Sequence, residues 1–383
     1  MTLPRIYLDH AATSWPKDPS VLDAIERFLR TCGAASGRGQ YRSASEADAV
    51  VHSIRRAIAS LIQAPSSQCI ALFSNGTTAC NAAIVGVVQN GDHVVTTAVE
   101  HNSVLRCLWH LKTMGRISLT IVDCDQSGTV DADSVINALT EKTRLVAVTS
   151  ASNVTGAEQP IVEIGHKLGD HPAAFLCDAA QSFGYLPINV MQSRIDLLAA
   201  PGHKGGGGPQ GTGFLYVAPS WHERIAPSVF GGTGSQSESL SMPHTMPMKL
   251  EPGNLNVPAL AGWEAGLKAI SKKGESSIAK HGARLAEQLH LGLRSIRGVR
   301  VFGQAGRLPI ASIAVDELSP HDLAAILDAE YAIETRAGLH CAARIHEFLG
   351  SYPNGTLRIS GGATTTSGEI DQAILAMQSL ADM

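Results

Sequence analysis

No stretch of this chain approaches the roughly 20 uninterrupted apolar residues that a membrane-spanning helix needs. Lysine and arginine form no cluster, and at a net charge of −4 a nucleic-acid groove has no electrostatic support. Met1 to Arg5 pass straight into a strand-like Ile6-Tyr7-Leu8 without a signal core, so a cytoplasmic location is expected. The seven cysteines (32, 69, 80, 107, 124, 177 and 341) include no Cys-x-x-Cys pair, which argues against a zinc site or dithiol couple and leaves free thiols. Aromatic residues are few, at 5%. The order Gly-x-x-x-x-Gly-Lys-Ser/Thr of a phosphate loop is missing, and there is no internal repeat.

What is present is glycine (37 residues) and a 44% hydrophobic content, over a length that suggests two domains. Apolar spacing predicts a helix over 19–31 closed by Gly33, and another from Ser43, where Ser43-Ala44-Ser45-Glu46 has the form of a capping box. From residue 70, short apolar runs at 70–73, 94–95, 119–122, 145–148, 174–176 and 195–198 alternate with helical patterns. That rhythm predicts an α/β fold with a mostly parallel central sheet, in which ligands sit beyond the carboxyl ends of the strands. A Gly, Ser and Pro-rich stretch from Gly231 to Pro258 precedes a smaller α+β domain, with helices at 259–272 and 276–296 and strands near Val299, 310–315 and 357–360.

Polar motifs follow the apolar runs. Lys204, in Gly202-His203-Lys204 before Gly205 to Gly208, either projects into a cleft or is a surface lysine beside a mobile loop. Asp178, after Ala174-Phe175-Leu176, is placed to keep a pyridine nitrogen protonated, as pyridoxal 5'-phosphate (PLP) requires, or simply to cap a helix. Ser74 to Thr78 lead into a helix expected from Ala79; they suit a phosphate, and equally an ordinary Thr cap. His101 follows another strand and has the shape to stack on a flat ring, although a lone histidine is more often surface.

With Tyr7 to Thr13, Asn75 to Thr78, Glu100 to Ser103, Ser152 to Gly156, Asp178 to Ser182, Gly202 to Lys204, Gly231 to Gly234, Arg336 to Ala342 and Arg358 to Ser360, nearly the whole chain resembles the class V aminotransferases, specifically the cysteine desulfurases and selenocysteine lyases of the type I PLP fold. The resemblance implies a large PLP-binding domain at 15–257, and a small domain from 1–14 and 258–383 carrying the Cys341 loop and Arg358. It implies that Lys204 holds PLP and moves the Cα proton, that Asp178 pairs with the ring nitrogen and Gln181 with the ring hydroxyl, and that His101 stacks on the ring and shuttles protons. Thr77, Thr78 and His203 would hold the phosphate, with Thr233 reaching it from the second subunit of a homodimer. Asn153 and Arg358 would bind the substrate carboxylate, Arg358 through its two-pronged guanidinium.

By the same resemblance Cys341 attacks the substrate sulfur, turning L-cysteine into L-alanine and an enzyme persulfide that a separate sulfur-accepting protein relieves. Arg336, His340 and Arg344 stand near enough in sequence to favour the thiolate. Three readings follow: cysteine desulfurase; a lyase or epimerase on another amino acid, L-selenocysteine included; and a cofactor-poor scaffold. The last is prompted by departures from the family pattern. Pro201 stands where Ser or Thr is usual, Gly205 to Gly208 replace bulky residues, Gly253-Asn254-Leu255-Asn256 replaces Gly-Thr-Pro-Asn, and Ala363 and Thr365 replace an aromatic residue and an asparagine. These changes bear on phosphate affinity, loop rigidity and substrate identity.

Overall fold

The computed structural model describes residues 4–37, 39–235 and 238–381. Its strands in chain order are β1 (Ile6–Tyr7), β2 (Ile70–Phe73), β3 (Asp92–Thr97), β4 (Ile117–Val122), β5 (Thr143–Thr149), β6 (Ala174–Asp178), β7 (Leu197–Pro201), β8 (Gly213–Val217), β9 (Val299–Phe302), β10 (Ile310–Val315), β11 (Ile333–Glu334), β12 (Arg336–Gly338) and β13 (Thr356–Ser360). Seven of them form the central sheet in the order β2-β8-β7-β6-β5-β3-β4. Only β8 runs antiparallel to its neighbours; the other pairs are parallel, as the alternating pattern predicts. β12-β13-β10-β9 make a separate antiparallel sheet, and β1 pairs with β11.

The central strands read as continuous apolar runs because both faces are covered. Val146, Val148, Phe175, Leu198 and Phe214 enter one hydrophobic cluster, while Leu145, Ala147, Leu176, Leu197 and Leu215 enter another on the opposite face. A third cluster, with Leu289, Ile313, Leu357 and Ile359, lies under the antiparallel sheet. No helix among the described residues is long and apolar enough to cross a membrane.

The helix Pro19–Thr31 ends as expected, the Gly33 N–H bonding Phe28 O in a left-handed turn. The second helix differs from its sequence reading. It runs Arg42–Leu61, with Tyr41 at the cap position and no side-chain cap. Ser43 therefore falls inside the first turn, and Glu46 pairs with Arg42 at 2.9 Å instead of closing a capping box. Strand β8 lies under a glycine-rich lead that hides it in the sequence. The helix Val257–Lys273 packs on Pro19–Thr31, where a Cβ on Gly262 would come within 2.6 Å of Ile25.

Candidate active site

The sheet carries its polar residues to one edge. Strand β6 ends on Asp178, β7 on Pro201 just before Lys204, β5 on Thr149 just before Asn153, and β3 on Thr97 just before His101. The helix Gly76–Val87 starts at the same edge. It begins earlier than the expected Ala79, and its cap is Asn75, whose side chain accepts the Thr78 N–H at 2.8 Å. The first-turn amides of Gly76 and Thr77 thus lack intrahelical partners, a favourable position for an anion.

These ends and β12–β13 enclose a cleft of about 210 Å³. Of the eleven residues singled out from the sequence, eight line it: Thr77, His101, Asn153, Asp178, Gln181, His203, Lys204 and Arg358. Thr78 does not; its hydroxyl donates to Asn75 O at 2.9 Å, and its side lines a neighbouring depression. Thr233 lies outside the cleft in the 231–235 loop, with its hydroxyl 3.1 Å from that of Ser235. A more voluminous groove of about 790 Å³, bordered by Glu287, Arg294, Arg300 and Glu347, contains none of the motif residues.

Asp178 is buried, and burial pushes its pKa up while the Ala180 N–H and the Lys204 charge pull it down. It is the last residue of a strand and no helix follows, so it is not a helix cap. Burial lowers the pKa of Lys204 to about 8; the Asp178 charge opposes this, and Arg358 and Arg336 add to it. At pH 7 a lysine so placed is about a tenth free amine, against well under a hundredth for an ordinary exposed lysine. His101 is held neutral, its pKa lowered to about 4 first by burial and then by Lys204. Its Nδ1 accepts the Ser103 N–H at 3.0 Å, which leaves Nε2 as the protonated nitrogen and the one free to exchange a proton. Gln181 donates to Ala11 O at 3.0 Å. Burial likewise lowers the pKa of His203 to about 4, and its Nδ1 is buried without a partner.

The lysine loop is not bare in the sense its composition suggested. A Cβ on Gly206 would meet Gly202 O and Phe183 at 2.9 Å, and one on Gly208 would lie 2.4 Å from the Trp263 ring. Trp263 donates its indole N–H to Gly206 O at 3.1 Å. The glycines are there because an indole and a phenyl ring occupy the space that side chains would need, and the loop is packed.

Cys341 is exposed, whereas the other six cysteines are free thiols that are buried or half-buried. It sits beside the cleft, with Arg336 Nη2 3.6 Å from its Sγ. His340 and Cys341 are consecutive left-handed residues, φ 50° and 59°, a conformation that non-glycine residues seldom adopt. Arg358 is fully buried, bonded to Asp9 Oδ1 at 2.6 Å and to Asn153 O at 2.9 Å, and its Nε is left without a partner.

Three participants escaped sequence reasoning: one lines the cleft, and two brace residues that do. Arg336 stood out only as a neighbour of Cys341 in sequence, yet it lines the cleft. Asp9 lies inside a recognised motif but gives no sign of its ion pair. Lys17, whose Nζ bonds His203 O at 2.6 Å and Ser14 Oγ at 2.7 Å, has no signal in the sequence at all.

Residues 6–373 match the family model described as Aminotransferase class-V. A protein of Methanothermobacter thermautotrophicus described as "Probable cysteine desulfurase" is 34% identical over 99% of this chain and 95% of its own length. The apo structure of cysteine desulfurase from Thermococcus onnurineus superposes with a TM-score of 0.92 at 29% identity, covering 100% of this chain and 99% of that one. The cysteine desulfurase CsdA of Escherichia coli, crystallised as its S-sulfonic acid, gives a TM-score of 0.87 at 26% identity, over 99% and 95% of the two chains.

Proposed function

The chain belongs to the aminotransferase class-V family, and from that premise we propose that it is a PLP-dependent cysteine desulfurase, moving sulfur from L-cysteine onto Cys341 and releasing L-alanine. The observation that carries this reading is the exposed Cys341 thiol, with Arg336 at its sulfur, beside a cleft that holds Lys204 and Asp178.

The cleft suits PLP. A buried carboxylate, an amine with a lowered pKa, an open helix N-terminus and an unpartnered His203 Nδ1 match its ring nitrogen, aldehyde and phosphate. Lys204 would hold it, Asp178 would face its ring nitrogen, Gln181 its ring hydroxyl, and Thr77 and His203 its phosphate. When bound, PLP supplies an electron sink that weakens the bonds at the substrate's Cα and Cβ.

The chain's own residues do the rest. Arg358 Nε and Asn153 bind the substrate carboxylate, fixing the amino acid in one orientation. Lys204, as free amine, takes the Cα proton, and His101 Nε2 is the second site for proton exchange. The Cys341 thiolate attacks the substrate sulfur, so an S–S bond forms and the Cβ–S bond breaks. The bonding electron pair stays on the carbon, which takes up a proton. L-cysteine and one thiol thereby become L-alanine and one persulfide, with atoms and charge conserved. The exposed sulfur is then passed to a sulfur-accepting protein.

Also within this proposal are a homodimer in which Thr233 completes the partner's site, a cytoplasmic location, and a large unit at 15–257 against a small one at 1–14 and 258–383. The packing of Val257–Lys273 on Pro19–Thr31 favours counting that helix with the large unit.

The test is the visible spectrum with PLP, followed by L-cysteine and a thiol reductant, with alanine and sulfide quantified. Equal amounts of both are expected. Cys341→Ala should lower turnover by at least about 100-fold while the PLP absorbance persists. Alanine formed at an undiminished rate by Cys341→Ala would sink the reading. A strong preference for L-selenocysteine would move it to the selenium branch of the family.

A further inference from the structure

Building on the desulfurase reading, we propose that Asn153 is the positioning residue for the Cys341 thiol, so that one amide both receives the substrate carboxylate and sets the sulfur acceptor's position. Its Nδ2 donates to His340 O at 2.7 Å, one residue before the thiol. An amide nitrogen carries two hydrogens, and among the described residues this one has no second acceptor. The remaining N–H is free for a carboxylate. From the other side, the Asn153 backbone O accepts from Arg358, which is itself tied to Asp9. A continuous chain of bonds therefore runs Asp9–Arg358–Asn153–His340, ending next to the nucleophile.

The loop needs such a strut. Two successive non-glycine residues in the left-handed region relax unless their surroundings hold them. Three further contacts assist: the Asn102 N–H donates to Cys341 O at 2.7 Å, His340 Nε2 lies 2.9 Å from Thr356 Oγ1, and the Ala342 N–H bonds Leu339 O at 2.9 Å. Asn153 and His340 both line the cleft, and of the two it is Asn153 whose side chain reaches the loop from outside it. Its partner is a backbone carbonyl, so its effect falls on the path of the chain rather than on the thiol's surroundings.

The test is hydrogen exchange at the Asn102 and Ala342 amides, in the absence of L-cysteine, on the full chain both with and without PLP. Asn153→Asp keeps the side chain's shape and removes both N–H groups. It should speed exchange at both amides together by about tenfold. Arg336→Gln, which alters the thiol's neighbour and not the backbone, should leave both at wild-type rates. Asn153→Ser, read in the same way, replaces the charged variant should that one fail to fold. With L-cysteine, loss of carboxylate binding alone raises KM, whereas a displaced thiol also lowers kcat by tenfold or more. Unchanged exchange at both amides, or a raised KM with kcat intact, would overturn the proposal. A chain that makes no alanine from L-cysteine would end the desulfurase reading, and the exchange rates would still decide the strut.

Discussion

Trp263 is the side chain on which the geometry of the lysine loop turns. It is fully buried, and its ring lies 6.4 Å from Phe183 and 6.2 Å from Phe214 in edge and tilted contacts. Cβ atoms placed on Gly202, Gly206 or Gly208 would fall within 2.4 to 3.1 Å of its atoms, so the loop is moulded around the indole. Trp263→Ala removes that mould and leaves a cavity, at a cost of about 3–5 kcal/mol. Trp263→Phe keeps most of the apolar contact but orphans Gly206 O, at a cost of about 1–3 kcal/mol. Against a net stability of about 5–15 kcal/mol both are large, and the first is larger. Urea unfolding at fixed pH gives the stability ranking, and the rate of PLP release to a trapping protein reports whether Lys204 and His203 have loosened. Trp263→Ala should lose more stability than Trp263→Phe and release PLP faster. A loss below about 1 kcal/mol for Trp263→Ala, or a large loss with PLP retention unchanged, would refute the claim that the indole holds the lysine loop.

Two predictions concern pH. With Lys204 at about 8, the rate at which cofactor-free protein captures PLP should rise through pH 8 and level off above it; a rate still climbing at pH 10 would place the lysine in ordinary solvent. His346 is fully buried, its pKa lowered to about 4 by burial, so below pH 6.5 the unfolded chain binds a proton that the folded chain refuses. Stability is lost as pH falls, and from pH 7 to pH 5 His346→Gln should gain about 2 kcal/mol relative to wild type in urea unfolding. Parallel pH profiles for the two proteins would contradict this.

The strands and the site were legible to different degrees, for physical reasons. β5 and β6 announce themselves because a strand buried on both faces must be apolar throughout. The site followed because such strands end together, bringing Asp178, Lys204, His101 and Asn153 to one edge. β8 was hidden because its approach is glycine, a signal that stands equally for a mobile loop and for close packing. Nothing in Gly205 to Gly208 reveals a tryptophan more than fifty residues later. The false capping box at Ser43 came from a local pattern that fits two helix starts two residues apart. Lys17 and Asp9 act through contacts some 190 and 350 residues away in sequence, and no local pattern encodes such a partner.

Pro201 is the departure most damaging on paper, since a proline inside a sheet removes a ladder bond and here also a hydroxyl. The parallel ladder between β6 and β7 ends at Asp178 and Ala199, two residues earlier, so the missing N–H would have had no partner on β6. On the other side Pro201 pairs with Gly213, and the neighbouring N–H of Gly202 takes up the bonding to Thr212 O at 2.9 Å. The ring does impose one condition. A Cβ at residue 76 would lie 2.9 Å from Pro201 Cδ, so the first residue of the helix facing the cleft has to be glycine. A bare Gly76 leaves the first-turn amides uncovered on the side where the proline offers no donor. In the proposed cofactor site, phosphate binding therefore rests on Thr77, those amides and His203.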